Sequence, residues 1–345
     1  MKKAIISVLF FVSFLSINAQ SNYAQTLEWV IETFSQNDAG FQYIVDKKGK
    51  KDYDDFTQGI KSRVPNVAND DEFVNLVCEW LYYFRKGHVG FGVKDKPNRK
   101  PSRSNFDDKV LHLDRLSDKT LYLRIPSFEY KNKVAIDSII KVNKDMIGVT
   151  PNLIIDIRNG SGGSDASFWK LLPLLYTNPI RQVGLEFKGS ELNAKGFEQY
   201  AEMTNNPSLN NVAKLLREND KKFIAVETSD KTSVIKFDNI LPYPQRVAIL
   251  IDGGNVSSDE QFLIYAKQSW KVKLFGKTTR GAIDISNMTY TFSPDEKFYL
   301  SYAMSKSKRI PDFMVDDIGL QPDFYIDSEI PEAEWINFTK GILEE

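Results

Sequence analysis

Apolar residues recur at three- and four-residue spacing at Phe73, Leu76, Val77, Trp80, Leu81 and Phe84, a wide stripe that predicts an amphipathic helix. Asp70 and Asp71 stand before it as N-cap candidates, and Gly87 beyond it suits a left-handed C-terminal position. The rhythm is helical from Ala24 to Phe84, so residues 20–95 are expected to form an N-terminal helical subdomain, with Lys47–Lys51 as a solvated loop. At Gly87-His88-Val89-Gly90-Phe91-Gly92-Val93 the period changes from helical to alternating. His88 therefore falls on a helix-to-strand junction, among glycines that let the backbone bend and a ligand approach.

Beyond that junction the pattern alternates strand and helix. Leu121–Ile125 reads as a strand ended by Pro126, Val134–Met146 as a helix, and Leu153–Ile157 as a nearly continuous apolar strand. Fully apolar strands joined through a helix predict parallel pairing with both faces covered. The last of these strands runs into Arg158-Asn159-Gly160-Ser161-Gly162-Gly163, after which Phe168, Leu171, Leu172 and Leu175 mark another helix. A second unit of this kind has the apolar run Val247–Ile251, a Gly253-Gly254 turn, Ser257-Ser258-Asp259-Glu260 at a helix start, and a strand at Val272–Phe275. Ser257 thus sits at the carboxyl end of a strand and the amino end of a helix, where open α/β sheets place ligands and backbone N–H groups point outward. The expected division is an α/β core over 96–345, with residues 177–244 as a polar, mixed insertion near the cleft. That insertion contains a helical stretch around Phe197–Leu216 and strand-like pieces at 223–226 and 234–237.

Composition changes this picture in two places. Met1-Lys2-Lys3, the apolar run Ala4–Ile17 and Asn18-Ala19-Gln20 read as a signal peptide over 1–19, so the mature chain is expected outside the cytoplasm, periplasmic or secreted, with no membrane span after cleavage. No cysteine follows the run, so lipid attachment there has no residue to use. A net charge of −1 with no isolated basic block excludes nucleic acid as the expected partner. The single cysteine, Cys78, lies within a helical stripe and is read as a packing residue.

Candidate chemistry gathers at the turns. The glycine-rich turn at 160–163 could cradle an oxyanion with its amides, but it lacks the Gly-Lys-Ser/Thr ending of a phosphate loop and the dinucleotide fingerprint, and no cofactor or metal is implied. Gly162-Gly163-Ser164-Asp165-Ala166 approaches a nucleophile elbow, yet the turn does not follow its strand directly, which places Ser164 below Ser257. Ser257 has a plainer reading as a helix cap paired with Glu260. His112 alternates within a strand and reads as a face residue, while Asp156 and Arg158 are expected to make structural polar contacts at a strand end.

Taken together, Gly-His-Val, IIDIRNGSGG, a serine followed three residues later by an acid, Gly-Lys-Thr-Thr-Arg-Gly and GLQPD occur in one order. The chain over about Tyr23–Ile326 resembles the serine peptidases that include the C-terminal processing (tail-specific) peptidases, the tricorn core domain and the interphotoreceptor retinoid-binding protein repeats. The resemblance implies a crotonase-like β/α core that cleaves peptide bonds of a peptide or protein substrate. Carried over, it places the nucleophile on Ser257. It places Ala282 where the tail-specific branch has its general-base lysine, so the serine–lysine dyad is missing. The tricorn-like branch instead takes its base from the early His motif, here His88, with a supporting carboxylate at Asp316, beside Asp317. The oxyanion donors implied are the amide of Ser258 and one from Gly162 or Gly163. Residues 93–121 leave no room for a PDZ module. A catalytically silent member binding peptide or a lipophilic ligand in the same cleft is the alternative, and the oligomeric state is left open.

Overall fold

The computed structural model describes residues 22–96, 106–225 and 233–345; the expected signal peptide lies outside them. The chain divides into two compact units that do not follow chain order. The first takes residues 1–99, 185–227 and 285–308, and the second residues 100–184, 228–284 and 309–345. Elements are numbered below in chain order across both.

The first unit opens with helices α1 (residues 22–37), α2 (Phe41–Lys48), α3 (Lys50–Arg63) and α4 (Asp70–Tyr82). Asn69 caps α4, accepting from the N–H of Glu72 at 3.0 Å, while Asp70 and Asp71 fall inside the first turn. The lysine-rich segment is not a loop: Gly49, at φ 100°, ends α2 and starts α3. Nor does Gly87 take the left-handed conformation after α4; His88 does, at φ 53°. The sheet beside these helices contains β1 (Gly90–Val93), β6 (Leu185–Lys188), β7 (Phe223–Ile224), β11 (Ile285–Phe292) and β12 (Phe298–Ser307), with α8 (Glu191–Met203) and α9 (Leu209–Glu218) between β6 and β7. The long β12 pairs antiparallel with β11, with β1 through Phe298–Ser301, and with β6 through Ser305–Ser307. The predicted stripe of α4 packs Phe73, Trp80 and Phe84 into a core with Phe34, Phe91 and Phe298, and Cys78 lies partly buried at its margin.

The second unit is built on a six-stranded sheet containing β2 (His112–Arg115), β3 (Thr120–Arg124), β4 (Asn152–Asp156), β9 (Arg246–Ile251), β10 (Val272–Gly276) and β13 (Phe324–Tyr325). The spatial order is β13-β10-β9-β4-β3-β2, parallel throughout except for the β2 edge. Successive side chains along a strand face opposite ways, and both faces are filled. Leu153, Ile155, Val247, Ile249 and Ile251 pack under α10 (Ser258–Ala266) and α5 (Lys133–Val142), whereas Ile154, Ala248 and Leu250 meet Trp335 and Leu343 of α11 (Trp335–Glu344). Short helices α6 (Lys144–Ile147) and α7 (Leu172–Leu175) and a two-stranded pair, β5 (Ile180–Arg181) with β8 (Val234–Ile235), complete the unit. The helix expected after Gly163 is mostly 3-10 turns. The segment expected as an insertion is shared: residues 185–227 belong to the first unit and its flanks to the second. Among the described residues no helix is long and apolar enough to cross a membrane.

Candidate active site

In the second unit, adjacent parallel strands β4 and β9 end side by side, and the turns that follow them, 157–163 and 252–257, are cross-linked by buried polar side chains. The Asp252 carboxylate accepts from the N–H of Asn159 at 2.9 Å and of Gly254 at 2.8 Å. The Asn255 amide donates to the Ile157 carbonyl at 2.5 Å and to Asp259 Oδ2 at 3.1 Å. Asp259, buried at the start of α10, also accepts from the amides of Val256 and Gly162, both at 3.3 Å. These three side chains were not singled out as site residues from sequence. The available signal was their spacing behind the apolar run Val247–Ile251, with Asp252 directly after it, Asn255 past the Gly253-Gly254 turn and Asp259 at the helix start, where burial is expected and a buried polar group must find partners.

Ser257 ends the second of these turns and is half-buried. Its backbone stands at φ 59°, ψ −120°. Ser257 and Glu260 have the capping-box relation, with the Ser257 N–H donating to Glu260 Oε2 at 3.3 Å. An ordinary N-cap, however, sits in the β region, so capping alone does not account for this backbone. A non-glycine residue persists in such a sparsely populated region only when its surroundings over-determine it, a condition concentrated at active sites. Here Glu260 binds Thr279 Oγ1 at 2.5 Å and the amides of Gly281 and Ala282 at 2.7 and 2.8 Å, while the Ser257 N–H also reaches the Ala282 carbonyl at 3.0 Å. Burial pushes the carboxyl of Glu260 up, against the donors that favour its charged form. Ala282, where the tail-specific resemblance implies a base lysine, therefore lies directly against the Ser257 backbone and is buried.

The glycine turn faces the same serine. Gly162 and Gly163 have φ of 77° and 142°. A Cβ on Gly162 would lie 2.7 Å from the Val256 carbonyl oxygen and 2.8 Å from Ser257 Cβ, and one on Gly163 would lie 2.2 Å from the carbonyl carbon of Phe128. Gly163→Ala is accordingly expected to cost about 2–3 kcal/mol from the strained backbone conformation and the clash, read as a lower urea midpoint. The Gly162 N–H is occupied by Asp259, whereas among the described residues the N–H groups of Gly163 and Ser258 donate to no protein acceptor. Ser164, by contrast, has an extended backbone and its N–H bonds the Phe128 carbonyl at 2.9 Å. Asp156 and Arg158 behave as expected, with Arg158 Nη2 donating to Asp156 Oδ2 at 2.6 Å in a buried pair.

Asp316 forms a reciprocal latch with Asp284. Asp316 Oδ1 accepts from the amides of Ile283 and Asp284 at 2.6 and 2.7 Å, and Asp284 Oδ2 accepts from those of Val315 and Asp316 at 2.6 and 2.8 Å. Asp317 is exposed while Asp316 is buried, which distinguishes the two adjacent carboxylates.

In the first unit, His88 is half-buried with Nδ1 2.8 Å from the Ile285 carbonyl oxygen. A carbonyl only accepts, so this bond places the proton on Nδ1 and leaves Nε2 as the basic nitrogen. Arg85 Nη2 donates to the His88 carbonyl at 3.0 Å and, with Nη1, forms a buried pair with Asp38 at 2.5 and 2.9 Å.

Comparison with known proteins bears on the family and the fold. The model for peptidase family S41 matches residues 119–326, more than half of the chain. No curated protein matches. Among solved structures the chain is similar to a candidate peptidase from Parabacteroides merdae, at TM-score 0.58 and 15% identity over 94% of this chain and 97% of that one. It is also similar to a lipoprotein from Streptococcus agalactiae, at TM-score 0.50 and 16% identity over 93% and 96%. The two likenesses bear on the fold, a mixed α/β architecture, and the matched segment carries both turns, Ser257 and Asp316: the chain belongs to peptidase family S41, whose members are serine-type peptidases.

Proposed function

We propose that the protein is a serine endopeptidase acting on peptides or proteins outside the cytoplasm, with Ser257 as nucleophile and His88 as base. The observation that carries this reading is the strained backbone of Ser257 against the Gly162 turn, with the amides of Ser258 and Gly163 donating to no acceptor among the described residues. In the proposed reaction Ser257 Oγ attacks the substrate carbonyl and its proton passes to His88 Nε2, since a serine hydroxyl needs such a base at neutral pH. The Ser258 and Gly163 amides stabilise the oxyanion, each such donor being worth about 3–4 kcal/mol. Gly162 holds the turn through its bond to Asp259. The tetrahedral intermediate collapses as His88 returns the proton to the leaving amine. Water then repeats the sequence on the acyl-enzyme, releasing the acid and regenerating Ser257. The Ile285 carbonyl fixes the imidazole tautomer, and Asp316, anchored through Oδ1, is assigned to stabilise the imidazolium by its charge. Export rests on the basic and apolar start of the chain.

The test is labelling of the full-length protein with a fluorophosphonate, followed by peptide mapping. Phosphonylation of Ser257 is expected. Label on Ser164 or elsewhere would reassign the nucleophile, and no label under conditions that modify a control serine hydrolase would favour the silent binding protein.

A further inference from the structure

We propose that Asp259 is a positioning residue of the oxyanion site, holding the Gly160–Gly163 turn against Ser257 as a neutral acid. This inference rests on the reading of Ser257 as the nucleophile. Asp259 is buried, and its two oxygens are used unequally: Oδ2 receives Asn255 Nδ2 and the amides of Val256 and Gly162, while Oδ1 is buried without a partner among the described residues. Burying a charge on a carboxylate with one bare oxygen costs more than burying the neutral acid, which carries its proton on the unpartnered Oδ1 and keeps Oδ2 as the acceptor. Proximity is enforced at Gly160, where a Cβ would stand 2.5 Å from Oδ2. The neutral form also suits the reaction, because a negative charge on the residue that holds the Gly162 amide would oppose the charge that develops on the oxyanion.

The ionisable groups of the packed elements offer no compensation. On the same helix Glu260 is of like sign. On the turn after β4, Arg158 is committed to Asp156, and on the turn after β9 Asp252 is another carboxylate that accepts from backbone amides. Burial is the main cause that pushes the Asp259 carboxyl up to about 7, against the Asn255, Val256 and Gly162 donors, which favour its charged form, with Glu260 adding a smaller upward push.

The experiment is the rate of fluorophosphonate labelling from pH 5 to 10 for wild type, Asp259→Asn and Gly160→Ala. The wild-type rate is expected to fall about tenfold per pH unit above about 7, as one group ionises. Asp259→Asn, which keeps an acceptor oxygen and cannot ionise, is expected to lack the alkaline fall. Gly160→Ala displaces the contact without removing the acid, so its labelling is expected to slow at least tenfold with the fall retained. An alkaline fall that persists in Asp259→Asn, or none in wild type, overturns the proposal while leaving Ser257 as nucleophile. No labelling of wild type at any pH overturns the nucleophile reading instead, and stability then decides on the neutral acid. The folded state would keep a proton that the unfolded state releases between about pH 4 and 7, so stability falls as pH rises through that window. That slope is expected to flatten in Asp259→Asn, and an equal slope in both proteins overturns the proposal.

Discussion

Ser257→Ala is expected to lower kcat/KM for a cleaved peptide by about 10⁶-fold, His88→Ala by a similar factor, and the double variant by no more than either. In the proposed mechanism nucleophile and base act as one unit, so once one is gone the other has nothing left to contribute. A double variant whose loss equals the product of the two single losses would show that His88 works independently of Ser257 and would remove it from the mechanism. Stability offers an independent reading of the same serine. At φ 59° and ψ −120° both serine and alanine are strained, so Ser257→Ala leaves that cost in place, whereas glycine relieves it. Ser257→Gly is therefore expected to be more stable than Ser257→Ala by about 1 kcal/mol or more, with activity lost in both. Equal stability would mean that the backbone at this position stores no strain.

The elements that could be read from the sequence were those whose pattern is local. The apolar run of β9 and the three- and four-residue stripe of α4 each carry their own burial signal, and both lie where the pattern put them. Asn69 was legible in principle, because Asn-x-x-Glu is a capping spacing, but the two aspartates after it drew the assignment. Gly49 was hidden by the lysines around it, since a glycine that breaks one helix into two and a glycine in a loop have the same local composition. The partition of the chain was not legible, because it depends on β12 pairing with β1 and β6, partners separated in sequence by more than a hundred residues. The sites show the same contrast. Ser257, His88 and the glycine turn stand at junctions where the period changes, and that change is visible. The latch between Asp284 and Asp316, and the tie between Asp259 and Gly162, are tertiary contacts of common residue types. Nothing local distinguishes them from surface carboxylates until burial is known.

Loss of the Asp38 carboxylate is expected to be the most damaging single change in the first unit. Asp38 receives both Nη groups of Arg85 and the amides of Gly40 at 2.9 Å and Ala303 at 3.1 Å, and both Asp38 and Arg85 are buried. Asp38→Ala thus strands a guanidinium and two N–H groups in the interior, and breaking a buried pair from one side costs about 3–5 kcal/mol. For a unit of this size the melting temperature should fall on the order of 10 °C. Arg85→Met combined with Asp38→Leu removes both charges and is expected to recover part of that loss, though not the part owed to Gly40 and Ala303, whose amides stay unpaired. Full recovery would show that the two amides carry no weight; no recovery would show that the ion pair itself stabilises the fold. Because Arg85 also donates to the His88 carbonyl, the Met/Leu double variant removes that bond together with the ion pair, whereas Asp38→Ala leaves the donor in place. If this contact holds His88 in its left-handed backbone, labelling of Ser257 should slow in the double variant even at temperatures where it is fully folded, and unchanged labelling there would confine Arg85 to stability.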